Sequence, residues 1–288
     1  MPSSNRESAD IQKGLHYTKP PARGSSIVAG ITLQRTLHGH TSSINRIAWS
    51  PDGLLLASPS SDGTVRIWNT QTGECIRVLQ MGGSITTITW SPDSKIAAFA
   101  SKGTTIFLWE AEKNPGITSF TTPYGGDVYM LAWSPNSDIL ASASRDGSIR
   151  LWDKQQELSV QSTSQTMRAA AALCLDWSPD GKYIVFGGFS GHITLLKASY
   201  YPNYYTTTLQ THEHTKSVTC VAWSPDGRHF ASASEDKRVL IWKADGASQP
   251  FQVLERHSHS VTCVAFSSDG KWMASKDSRE VVLWRCDT

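Results

Sequence analysis

The chain has 288 residues, 18% of them charged and 39% hydrophobic, with a formal net charge of +2. That balance excludes a disordered polyampholyte, and near-neutral charge speaks against a dedicated nucleic-acid binder, which carries a basic excess. No apolar run approaches the roughly 20 residues of a spanning helix, so no membrane role is expected. The polar start MPSSNRESAD does not read as a secretory signal. The five cysteines lack CxxC spacing, so neither a disulfide framework nor a zinc site is expected, and a reduced, cytoplasmic setting is the default.

In chain order, residues 1–30 read as a flexible leader, with Lys19-Pro20-Pro21 and Arg23-Gly24-Ser25-Ser26 as its breakers. Residues 31–37 (ITLQRTL) form an isolated extended stretch. INRIAW (44–49) is the next apolar strand, and Pro51-Asp52-Gly53 turns the chain. LLLAS (54–58) follows, then Ser61-Asp62-Gly63, then TVRIW (64–68) with Val65 and Ile67 on one face and Arg66 and Trp68 on the other. ECIRVL (74–79) is a more polar fourth strand.

This unit then repeats. Trp-Ser-Pro recurs from Trp49, Trp90, Trp133, Trp177 and Trp223, and Phe266 opens a sixth copy, at steps of 41, 43, 44, 46 and 43 residues. Third strands end at Trp68, Trp109, Trp152, Leu196, Trp242 and Trp284, so ten of the eleven tryptophans fall at equivalent positions. No window shows a sustained helical period, and the class is all-β.

Units of about 40–45 residues with four strands and a Trp closing the third resemble the WD40 repeat. Trp152-Asp153 is the dipeptide itself, and Gly39-His40 matches the family's Gly-His element, with His214 and His257 at the same offset. The resemblance covers roughly residues 31–286 and implies a β-propeller. The arrangement expected is six four-stranded blades over 38–288, with residues 31–37 beside residues 280–284 as a closing outer strand that removes an exposed edge. A truncated seven-bladed ring is the alternative.

The resemblance also implies a buried hydrogen-bonded network of His, Ser, Asp and Trp. By offset it falls on His40, Ser58, Asp62 and Trp68, on His214, Ser232, Asp236 and Trp242, and without the His on Ser142, Asp146 and Trp152. The second unit has Met81 and Gly103 at the His and Asp positions, and the fourth has Arg168, Ser190 and Leu196. Those two blades are expected to lack the network and to be looser. Its Asp-His-Ser part mimics a hydrolase triad, but the recurring spacing reads as structural. Cys174, Cys220 and Cys263 sit at one inner-strand position, where the first three units have Arg46, Thr87 and Met130; small buried residues are expected there, and no metal or cofactor.

Partner-binding candidates come from the loops. Ser61, Lys102, Arg145, Phe189 and Glu235 precede the turn Asp position, with Asp127, Lys216 and Arg46 nearby. This mixture of signs with one Phe suits a protein-binding rim. Tyr200, Tyr201, Tyr204 and Tyr205 offer a second sticky patch. The function expected is a non-catalytic interaction scaffold, a monomeric propeller or a module of a larger assembly. The alternatives are a sensor or ligand-binding propeller of a larger signalling protein, or a propeller attached to an enzyme. The last rests on Trp-Ser-Pro-Asp-Gly copies that also resemble TolB and prolyl-oligopeptidase-type propellers. No Gly-x-Ser-x-Gly elbow or phosphate loop supports an enzyme.

Overall fold

The computed structural model describes residues 35–286 apart from 46, 102, 114–115, 123–125, 155–164, 167–171 and 199–204. Leu37–Thr288 form one compact unit, separate from Met1–Thr36. Every described regular element is a strand. The first sheet holds β1 (Ala48–Trp49), β2 (Leu55–Pro59), β3 (Thr64–Asn69) and β4 (Cys75–Gln80). The second holds β5 (Ile85–Trp90), β6 (Ile96–Ser101), β7 (Thr105–Glu110) and β8 (Ile117–Thr121). The third holds β9 (Val128–Trp133), β10 (Ile139–Ser144), β11 (Ser148–Asp153) and β12 (Gln165–Thr166). The fourth holds β13 (Ala172–Trp177), β14 (Tyr183–Gly188), β15 (Ile193–Ala198) and β16 (Tyr205–Thr211). The fifth holds β17 (Val218–Trp223), β18 (His229–Ser234), β19 (Val239–Lys243) and β20 (Gln252–Leu254). The sixth has three described strands, β21 (Cys263–Phe266), β22 (Trp272–Lys276) and β23 (Val281–Arg285).

Each sheet is an antiparallel meander, and its period-2 pattern gives it two apolar faces. One carries a Trp pair, replaced by Trp177 and Leu196 in the fourth sheet and by Phe266 and Trp284 in the sixth; the other carries Ala, Val, Ile and Leu. Ala57, Val65 and Ile67 of the first sheet pack against Trp90, Phe99 and Trp109 of the second. The same pairing joins Ala98 and Leu108 to Trp133 and Trp152, and Ala141 and Leu151 to Trp177 and Leu196. It joins Val185 and Leu195 to Trp223 and Trp242, and Ala231 and Val239 to Met273 and Trp284. Two indoles add a bond across the seam, Trp90 Nε1 to the Ala48 carbonyl at 3.1 Å and Trp177 Nε1 to the Ala132 carbonyl at 3.2 Å.

The Trp-Ser-Pro-Asp-Gly turns explain themselves locally. Ser50 Oγ donates to Asp52 Oδ1 at 2.6 Å and accepts the Leu55 amide at 2.9 Å, and the pattern repeats at Ser178 and Ser224. The turn's last position is left-handed, which suits Gly181 and Gly227 (φ 70° and 68°). Ser94 and Ser137 hold it at φ 61° and 64°, and their Oγ atoms accept the Asp52 and Asp93 amides of the preceding turn, both at 3.0 Å. That bond between neighbouring units offsets the steric cost of the left-handed residue.

The first inner strand departs from the sequence expectation. It is shorter than residues 44–49: only Ala48–Trp49 are in register, with one further bridge from Ile44 to Ser60. Of the expected closing strand, residues 31–34 lie outside the described residues, and 35–37 belong to no strand.

Asp176, on β13, is an unexpected carboxylate among the inner strands. It accepts the Trp177 amide at 2.9 Å and, across the seam, the Trp223 amide at 3.0 Å. Burial nevertheless pushes its carboxyl up to about 6. An acid with a raised folded pKa binds protons more tightly in the fold, so its ionisation costs stability above about pH 6 and nothing below the unfolded value near 3.8. Asp176→Asn is therefore expected to flatten the decline in stability between about pH 4 and pH 6, by on the order of 3 kcal/mol. Parallel urea titrations of parent and variant check this, and an unchanged pH slope would refute it.

Candidate functional site

Three constellations stand out. In the first sheet His40 Nδ1 donates to Asp62 Oδ2 at 2.9 Å, Ser58 Oγ lies 2.8 Å from His40 Nε2, and Trp68 Nε1 donates to Ser58 Oγ at 2.8 Å. In the fifth, the same distances are 2.8 Å for His214–Asp236, 2.8 Å for His214–Ser232 and 2.9 Å for Trp242–Ser232. With Nδ1 donating to the carboxylate, Nε2 accepts the Ser hydroxyl, which in turn accepts the indole N–H. The chain thereby ties the loop leading into the inner strand to the second and third strands.

The third is in the sixth sheet and escapes the offset rule. His257 Nδ1 meets Asp277 at 3.1 Å, Nε2 meets Ser275 Oγ at 2.7 Å, and Trp284 Nε1 donates to Ser275 at 2.8 Å. Its hairpin is one residue shorter, as the 18-residue step from Phe266 to Trp284 signals, and within it the Asp also sits one place nearer the Ser, so it comes two rather than four positions after it. His257, Asp277 and Glu280 have ligand atoms close enough together for a metal, yet both ring nitrogens of His257 are already engaged.

The third sheet holds the truncated version. Trp152 Nε1 donates to Ser142 Oγ at 3.0 Å, and Arg150 Nη2 meets Asp146 at 2.6 Å. In the second sheet Phe99 stands where the Ser would be, and the buried Trp109 indole N–H has no acceptor. In the fourth, Ser190 Oγ lies 2.8 Å from His192 Nδ1, and His192 stacks on His212 at 4.3 Å. Burial and the neighbouring His212 lower the His192 pKa.

Burial pulls against ionisation at Asp62 and Asp236, but hydrogen bonds from Thr64, the Thr41 amide and His40, and from His214 and Arg238, outweigh it and hold both well below the usual carboxylate range. The amides of Arg279 and Glu280 and the His257 ring do the same for Asp277. Depressed folded pKa values give stability that is present above the unfolded value and lost as pH falls through the folded one, so these networks fail only in strong acid. His214 and Ser232 are 0% exposed; the serine oxygen is capped by an indole rather than open to a substrate, so the triad-like order is structural chemistry.

The inner-strand thiols are equally occupied. Burial pushes Cys174 up to about 12, and its Sγ lies 3.6 Å from the Gly187 carbonyl. Cys220 is raised by its thiol hydrogen bond with Cys263 and by burial. Protonated thiols are poor metal ligands.

The exposed chemistry lies at the end of the sheets carrying the turns between second and third strands. There Arg145 Nη1 lies 3.8 Å from Asp127 Oδ2 with its side chain 68% exposed. Phe189 is 51% exposed and meets Tyr129 edge-on at 6.4 Å; Tyr129 was not legible as a candidate because inner-strand aromatics usually point into the core. Glu235 accepts from Ser217 Oγ at 3.0 Å, and Lys216 is exposed. Backbone bonds fix these loops: the Ser61, Arg145 and Glu235 amides donate to the Ser43, Asp127 and Ser217 carbonyls at 2.8–3.0 Å. Arg46, Lys102, Tyr200, Tyr201 and Tyr204 lie outside the described residues, and Tyr205 opens β16.

A fold of stacked four-stranded antiparallel meanders with this His-Ser-Asp-Trp signature defines a WD-repeat β-propeller. The family of the WD domain, G-beta repeat, matches at residues 31–69, 73–110, 117–153, 162–195, 204–243 and 248–285, and the chain belongs to it. Among curated proteins it is similar to the ribosome biogenesis protein BOP1 homolog of Caenorhabditis elegans, 47% identical over 55 residues, which are 19% of this chain and 8% of that protein. It is also similar to eukaryotic translation initiation factor 3 subunit I of Aspergillus oryzae, 51% identical over 43 residues, or 15% of this chain and 13% of that one. The matches thus span a small part of those relatives. Among solved structures, a chain of the mitotic checkpoint complex superposes with a TM-score of 0.76 at 19% identity, covering 86% of this chain and 76% of that one. The Myceliophteria thermophila Cps50 (Swd1) β-propeller domain gives 0.74 at 16% identity, covering 88% and 86%.

The networks carry a differential prediction. Trp242→Phe removes a satisfied indole bond, whereas Trp109→Phe removes an N–H that has no acceptor. Trp242→Phe is expected to cost about 1 kcal/mol more than Trp109→Phe. Equal losses in chemical denaturation would show that the network adds nothing beyond ring packing.

Proposed function

We propose that this propeller is a non-catalytic protein-interaction scaffold whose partner face is the turn-bearing end of the third to fifth sheets. The observation that carries the reading is Phe189, a large aromatic held half out of the fold, with the exposed Arg145 and Lys216 in loops at the same end of the sheets. An aromatic anchor ringed by charges of both signs is how a protein surface binds another protein, with the charges setting orientation and the ring supplying the affinity. The Asp-His-Ser sets lie beneath tryptophans and offer no open nucleophile, which supports the non-catalytic side. The similar proteins include, by their names, a subunit and a member of a complex, which suits a module of a larger assembly. Five free thiols fit a reducing compartment such as the cytoplasm.

Covalent cross-linking and affinity capture with the tagged full chain, compared with an Arg145→Glu/Phe189→Ala variant, tests the assignment. The variant is expected to retain at least about tenfold less of the partner, the effect of losing one hot-spot residue, while its melting temperature stays that of the parent. Equal retention by the two proteins would remove this face from the account.

A further inference from the structure

Cys220 and Cys263 occupy the same place in neighbouring inner strands, three residues before Trp223 and Phe266. Two bonds tie those strands together. Thr219 Oγ1 donates to the Val261 carbonyl at 2.6 Å, and Cys220 Sγ lies 3.6 Å from the Val264 carbonyl. Side chains at this position therefore meet across the seam, and the two thiols share a hydrogen bond. Both cysteines are partly exposed, unlike the buried Cys174 at the same position one sheet earlier. Cys174 is also held by two carbonyls, Gly187 at 3.6 Å and Val218 at 3.7 Å. Of these three inner-strand thiols, Cys220 and Cys263 are thus the pair that combines direct contact with access from solvent.

We infer that Cys220 and Cys263 are a redox-modification site, closing into a reversible disulfide by exchange with a low-molecular-weight disulfide. In the first step Cys263, as the thiolate, attacks one sulfur of the small disulfide. The small S–S bond breaks, a mixed disulfide forms on Cys263, and the first small thiol leaves with the proton that Cys263 gave up. Cys220 then loses its proton and attacks the Cys263 sulfur, forming the Cys220–Cys263 bond and expelling the second small thiol. The protein pair is oxidised by two electrons, and the small disulfide is reduced to two thiols. The order of attack follows from the shared proton. Burial and the bond to Cys263 hold that proton on Cys220, so Cys263 is the sulfur that carries charge first. The bond pins the four-residue β21 to the six-residue β17 and closes a long loop of chain, where a cross-link adds most stability. In a reducing compartment the pair stays as thiols, and a rise in small disulfides staples the fifth sheet to the sixth.

The test is to incubate the full chain with oxidised glutathione at about pH 8, where thiols begin to ionise, then digest it without reduction and map the peptides by mass spectrometry. The expected product is a peptide pair joined through Cys220 and Cys263, two hydrogens lighter than the reduced peptides, with no glutathione retained on either. The melting temperature is expected to rise by about 5 °C on oxidation and to fall back on reduction. Cys220→Ser is expected to leave glutathione on Cys263 and to remove the gain, whereas Cys174→Ser keeps both the link and the gain. Glutathione retained on Cys263 in the parent protein would overturn the proposal, as would a disulfide mapped to Cys174. So would reaction confined to Cys75 and Cys286, with Cys220 and Cys263 recovered as thiols. Mapping the parent protein decides the question even where Cys220→Ser perturbs the strand.

Discussion

Everything in this fold depends on one contact made repeatedly: the Trp-bearing face of a sheet laid on the Ala/Val/Leu face of the sheet before it. A single antiparallel meander has two apolar faces and cannot bury either alone. Each buried Val, Leu or Phe side chain contributes about 1.5–3 kcal/mol, so a seam of seven to eleven buried apolar residues is what turns isolated sheets into one body. The order of sheets, the direction of the turns and the position of every loop follow from that stacking. The polar networks are secondary: they fix the angle of each hairpin against the loop leading into it, and the second sheet stands without one.

The seam also explains why the two ends of the array differ from the middle. Inner strands flanked by neighbours on both sides run six residues, as β5, β9, β13 and β17 do, whereas β1 has two and β21 four. The first sheet has the same Trp-Ser-Pro turn and the same Asp-His-Ser-Trp network as the fifth, so local sequence is not the cause. Among the described residues, what Trp49 lacks is a covering face.

Much of this was legible beforehand, because a repeat turns one weak pattern into six agreeing ones. Trp spacing and the Ser-Pro-Asp-Gly turns gave the all-β class, the unit length and the approximate strands, and the offsets placed His40, Ser58, Asp62 and Trp68 together, as they did the set at His214. The sixth network was missed because its shorter hairpin carries Asp277 two positions after the Ser, where Asp62 and Asp236 come four positions after theirs. Asp176 was passed over since nothing in a single strand reveals that its carboxylate will meet the amide of Trp223 on the next sheet. The exposure of Trp49 could not be read at all, because its tripeptide is the same as that of four buried tryptophans.

The central claim is that sheet-on-sheet burial sets the stability of each strand. Hydrogen exchange of the full chain, read strand by strand by mass spectrometry, addresses it most directly. The account predicts slow exchange in β6, β10, β14 and β18, which lie between two covered faces, and much faster exchange in β1 and β23. Equal protection of β23 and β19 would contradict it.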